Sequence, residues 1–118
     1  MLDLTEVHER FMRDPIPVRM GGLAANLARV GSFSGHEANK TSVSGLIHES
    51  KWFIEWTAAD LVRGEIETAA QLVELQIQLA RWQMDWDSRW SDPVRRAEIS
   101  ASAKKWSERV LELSGLTA

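Results

Sequence analysis

The chain has no cysteine and no tyrosine, and only 3 prolines in 118 residues. Without thiols there is no disulfide framework, no thiolate nucleophile and no cysteine-ligated zinc or iron–sulfur centre. Neither sign of charge predominates, with 14 lysines and arginines against 17 aspartates and glutamates. A formal net charge of −3 raises no field that would recruit nucleic acid, so nucleic acid is not an expected partner. No apolar run reaches the ~18–20 residues of a membrane span. The opening segment MLDLTEVHERF is acidic and amphipathic, unlike a signal or transit peptide. These absences leave a cytoplasmic protein as the expectation.

What the chain does have is tryptophan, 6 in all. Trp52 and Trp56, and then Trp82, Trp86 and Trp90, are spaced by four, which on a helix stacks them along one face. Hydrophobic residues make up 44% of the chain and charged residues 26%, which argues against disorder and for one globular domain over 1–118. Apolar spacing is three or four almost throughout and β-branched runs are few, so the fold class is all-α. The expected architecture is a single helical bundle of four to five helices.

Asp3 with Glu6 suggests a capping pair opening a first helix at roughly 4–13, which Pro15 and Pro17 end. A second helix, about 18–33, places Met20, Leu23, Leu27 and Val30 on one seam, with Gly21 and Gly22 weakening its start or allowing close approach. Ser34-Gly-His-Glu37 reads as a turn with a capping box. The third helix, about 37–57, carries Val43, Leu46, Ile47, Phe53 and Ile54 on one face and Trp52, Trp56 and His48 near the other. Asp92 and Pro93 open the last helix, about 93–113, and Gly115 stops it. Its seam is Ile99, Ala103, Trp106, Val110 and Leu113.

Between these lies the feature expected to dominate the fold: a long central helix at about 61–90, capped by Asp60 and roughly 45 Å in length. Ile66, Ala70, Val73, Ile77 and Met84 form one apolar face. Leu61, Leu72, Leu75, Leu79, Trp82, Trp86 and Trp90 form a second on the opposite side. A wet strip of Glu67, Gln71, Glu74, Gln78, Arg81 and Asp85 runs between them. A helix apolar on two faces requires cover on both.

Chemistry-bearing patterns are thin. Each histidine precedes a glutamate (His8, His36, His48), but none completes His-Glu-x-x-His or Glu-x-x-His, so no metal site is expected. The wet strip offers no buried carboxylate pair for acid–base work; Arg81 and Asp85 have the spacing of a surface ion pair. No nucleophile elbow and no phosphate loop occurs. An enzyme is therefore not the favoured reading, and no cofactor is implied. Two surfaces are candidates for binding. The first is the tryptophan ladder, Trp52, Trp56, Trp82, Trp86 and Trp90, with His48 beside it and Glu49, Gln76 and Gln83 within reach of indole N–H groups. It reads first as packing, within the chain or across a dimer, and alternatively as a small-molecule slot between helices three and four. The second is a basic segment with Arg95, Arg96, Lys104 and Lys105, a candidate anion site in which two cations occupy a helix's unfavourable first turn.

Asn26-Leu-Ala-Arg-Val30 with Ser32-Phe-Ser34, Glu49-Ser-Lys-Trp-Phe-Ile-Glu-Trp-Thr-Ala58, and Glu67 through Trp82 together resemble a group of small uncharacterised helical proteins of cyanobacterial genomes. That resemblance implies lineage and a cytoplasmic location, and no activity. The expected function is association: a homodimer, or a complex with another protein, that covers the surplus apolar perimeter of helix four.

Overall fold

The computed structural model describes residues 4–116; the proposed cap at Asp3 lies outside them. Six α-helices follow one another: α1 (Leu4–Arg13), α2 (Ile16–Phe33), α3 (Lys40–Leu61), α4 (Ile66–Met84), α5 (Trp86–Ser91) and α6 (Pro93–Ser114), with a 3₁₀ turn at Glu37–Asn39. The described residues contain no strand.

The first helix and the last fall where the local chemistry puts them. Arg10 and Arg13 sit in the last turn of α1, where the helix dipole favours cations. Asp92 caps α6 by accepting from the Val94 N–H at 2.9 Å, and Gly115, at φ 78°, ends it in the left-handed conformation. The second helix starts two residues earlier than expected. Pro17 lies inside its first turn, where a missing N–H costs nothing, and only Pro15 stands outside. The proposed capping box at Ser34–Glu37 does not form. Ser34 Oγ instead donates back to the Val30 carbonyl at 2.6 Å, and α3 begins after the 3₁₀ turn.

The middle of the molecule belongs to α2, which packs against α6 on one side and α3 on the other. Its Met20, Leu23, Leu27 and Val30 are buried as their spacing requires. The antiparallel α2–α6 contact is close because its residues are small. A Cβ added at Gly31 would stand 2.7 Å from Lys104 Cγ and 3.3 Å from the Ser100 carbonyl. Two serines, seven residues apart, donate across this contact: Ser100 Oγ to the Gly31 carbonyl at 2.6 Å and Ser107 Oγ to the Ala24 carbonyl at 2.7 Å.

The long central helix is not formed as one piece, and it is not central. Residues 62–65 make a turn, with the Gly64 and Glu65 N–H groups donating to the Leu61 carbonyl, so Asp60 and Leu61 belong to the end of α3. A second break falls at Asp85, whose backbone (φ −130°, ψ 42°) leaves the helical region. A straight helix of ~45 Å would also exceed the molecule's longest extent of 40 Å. Breaking the segment at both ends lets Leu72, Leu75, Leu79 and Trp82 of α4 pack on α3 while Trp90 of α5 turns separately into the core.

Candidate functional site

The five tryptophans of the expected ladder do not make one row. Trp52 and Trp56 of α3 stack at 5.7 Å and belong with α1: His8 lies 4.6 Å from Trp56, and Phe11 stacks on Phe53 at 4.2 Å. Trp82, Trp86 and Trp90 form the other set, with Trp82 and Trp90 buried and Trp86 half-buried 5.2 Å from Trp90. Among the described residues no ring contact joins the two sets. The indole of Trp90 donates to the Glu37 carbonyl at 2.9 Å, which pins α5 to the turn that opens α3. Glu49, Gln76 and Gln83 serve other partners than indoles. Glu49 accepts from Asn26 Nδ2 at 3.1 Å, Gln76 donates to the Lys51 carbonyl at 3.3 Å, and Gln83 accepts from Lys51 Nζ at 2.7 Å. The break at Asp85 separates Trp90 from the helix that carries Trp82, and Trp90 is held at the Glu37 turn.

A groove of about 580 Å³ does run between α3 and the α4–α5 junction, lined by Lys40, Thr41, Ser44, Gly45, His48, Gln83 and Trp86. Of the slot residues inferred from sequence it brings together His48, Gln83 and Trp86, and it omits Trp52, Trp56, Trp82, Trp90 and Gln76. Lys40 on its rim pairs with Asp87 at 2.6 Å. No carboxylate lines it, so His48, which is exposed, has no acid–base partner there. Among the described residues no group of three histidine, aspartate or glutamate side chains could hold a metal ion.

The basic segment is not one patch. Arg96 and Lys104 line a groove with Ser34 and Ser100, whereas Lys105 lines another with Trp106 and Arg109. Arg95 and Arg96 are also engaged in holding α5 to its neighbours. Arg96 donates to the Trp90 carbonyl at 2.8 Å and stands over the Trp90 ring at 5.6 Å. Arg95 reaches back to the Asp85 carboxylate, which also accepts from Arg89 at 3.0 Å. Asp85 is thus the centre of the helix break and not part of a solvated strip with Arg81. The bonded Arg95 guanidinium, with Arg89 adding to it, holds the Asp85 carboxyl below the usual carboxylate range.

Arg19 is a structural cation that the sequence pattern does not mark. It is buried in α2, donates to Asp60 at 2.6 Å, and donates to the Asp14 and Met12 carbonyls at 2.8 and 3.3 Å. It thereby satisfies carbonyls at the end of α1 that have no helical partner. Its five-residue spacing from Asp14 and long separation from Asp60 leave no local signal.

The most exposed apolar surface lies on the outer face of α4. Ile66, Val73, Ile77 and Met84 are 67, 44, 49 and 86% exposed, while Leu72, Leu75 and Leu79 on the opposite face are fully buried. The two apolar faces read from sequence are both real, but the chain covers only one. Among the described residues no helix is long and apolar enough to cross a membrane. Comparison with protein-family models, with curated proteins and with solved structures finds no match to this chain.

Proposed function

We propose that this chain works by association in the cytoplasm and not by catalysis, as a homodimer joined through the outer face of α4. One observation carries the reading: four large apolar side chains lie exposed on a single helical face whose opposite side is fully packed. Fully burying one such side chain is worth on the order of 1.5–3 kcal/mol, so a stripe of four favours a protein partner over water. Light scattering at low micromolar concentration tests it. The expected mass is twice the 13.3 kDa of one chain, and Ile77→Glu restores the monomer with unchanged helicity. A wild-type monomer under those conditions overturns the reading.

A second reading rests on Gly45. It lies inside α3, where glycine costs ~1 kcal/mol against alanine, yet a Cβ there would meet nothing within 4 Å. Its bare backbone lines the groove together with His48 and Trp86. A small planar molecule seated against Trp86 fits that shape. Fragment screening by NMR checks it: binders expected to perturb Trp86 and His48 and to be lost in Gly45→Leu. Shifts confined to other surfaces refute it.

A further inference from the structure

The outer face of α4 has an internal symmetry. Its six apolar positions, Ile66, Ala70, Val73, Ile77, Ala80 and Met84, are spaced 4, 3, 4, 3 and 4. That is the a/d seam of a heptad repeat, and it reads the same from either end about position 75. Turned through a two-fold axis, the seam meets itself: Ile66 opposite Met84, Ala70 opposite Ala80, Val73 opposite Ile77. The two alanine pairs let the helices approach closely on either side of the central Val–Ile contacts.

The flanks of the seam are unlike each other. One flank, Ala69, Gln76 and Gln83, is turned toward α3, with both glutamines bonded to Lys51. The other carries Glu67, Glu74 and Arg81, all exposed and without an ion pair among the described residues. In a parallel pair the charged flank of one helix faces the glutamine flank of the other, and its charges gain no opposite. In an antiparallel pair the two charged flanks face each other with direction reversed. Arg81 of each copy then lies beside Glu67 of the other, twice, and Glu74 meets its own copy at the axis.

Resting on the association reading above, we propose that the partner of this face is a second copy of the chain in an antiparallel α4–α4 pairing. Its register is set by the reciprocal Glu67–Arg81 pairs, and its strength is held down by the facing Glu74 residues. Charges flanking a heptad seam select orientation more than they supply affinity.

The absence of cysteine makes the test direct, because an introduced thiol has no competitor. Ile66→Cys and Met84→Cys are made singly and treated with a short bis-maleimide. In an antiparallel pair the two copies of either thiol stand roughly 27 Å apart along the seam, so neither variant alone cross-links, whereas the mixture does. Efficient self-cross-linking of Met84→Cys overturns the antiparallel register. Arg81→Glu is expected to weaken the dimer on the order of tenfold, since two symmetric pairs are lost at once. The swap Glu67→Arg with Arg81→Glu restores it, and Glu74→Gln tightens it. Failure of the swap to restore affinity overturns the pairing while leaving a dimeric wild type, and so the association reading, in place. A monomeric wild type removes both. All five positions are exposed, so circular dichroism unchanged from wild type separates lost association from lost folding.

Discussion

Trp90 is the side chain on which the C-terminal half of the molecule is hung, and its replacement yields a graded prediction. Three contacts meet at the ring: the indole N–H to the Glu37 carbonyl, the Arg96 guanidinium over its face, and burial to 2% exposure against Trp86 and the core. Trp90→Phe keeps an aromatic ring but removes the hydrogen bond, worth about 1 kcal/mol, and weakens a cation–π contact worth about 0.5–1 kcal/mol. The smaller ring adds a void costing about 1 kcal/mol. The sum is roughly 2–3 kcal/mol. Trp90→Ala removes the whole side chain and costs about 3–5 kcal/mol, a large share of the ~5–15 kcal/mol that holds a domain of this size. Trp82→Phe is the control. Trp82 is also buried, at 3% exposure, but donates no hydrogen bond among the described residues. Its substitution loses ring volume alone, about 1 kcal/mol. Urea unfolding followed by circular dichroism reads all three at a protein concentration where oligomeric state is unchanged. If Trp90→Phe lies within ~0.5 kcal/mol of wild type, or no lower than Trp82→Phe, the link between α5 and the Glu37 turn does not stabilise the fold and the reasoning fails.

Two further predictions concern ionic groups. Arg19→Met retains the buried stem but leaves the Met12 and Asp14 carbonyls at the end of α1 without their donor; because Asp60 is 44% exposed and readily solvated, the carbonyls account for most of an expected loss of about 2–3 kcal/mol. Hydrogen exchange shows it first in α1, and uniform protection across α1 in the variant would refute it. Asp85 titrates below its ordinary value in the folded chain, so its ionised form contributes stability at pH above about 3.8 and loses it as pH falls through the lower folded value. Asp85→Asn is therefore expected to be less stable than wild type at pH 7, with the gap closing in acid; a gap that stays constant down to about pH 2 contradicts the Arg95 and Arg89 pairing.

Much of the architecture was legible in short-range chemistry. The spacing of Met20, Leu23, Leu27 and Val30 placed the buried face of α2, and Asp92, Pro93 and Gly115 marked both ends of α6, because caps and periodicity act within one or two turns. The two apolar faces of α4 were visible for the same reason. The candidate site was less legible. Trp82, Trp86 and Trp90 share a helical spacing, and only the break at Asp85 sends Trp90 elsewhere. Asp85 at that break is bonded by Arg95, ten residues on, and Trp90 is bonded by the carbonyl of Glu37, 53 residues before it. Gln76 and Gln83, expected within reach of indole N–H groups, bond Lys51 of α3 instead.

Local pattern thus decides which residues are helical and which faces must leave water, since both follow from the 3.6-residue repeat and the cost of hydrating apolar surface. It cannot decide which buried face meets which, because helix pairing depends on contacts between residues far apart in the chain. The α2–α6 seam illustrates this. Its closeness depends on Gly31 lying opposite Ser100, a match that exists only once both helices are docked. Tertiary structure likewise decides that Leu72, Leu75 and Leu79 find cover within the chain, and that Ile66, Val73, Ile77 and Met84 do not. With α2 held between α3 and α6, the outer face of α4 is left exposed.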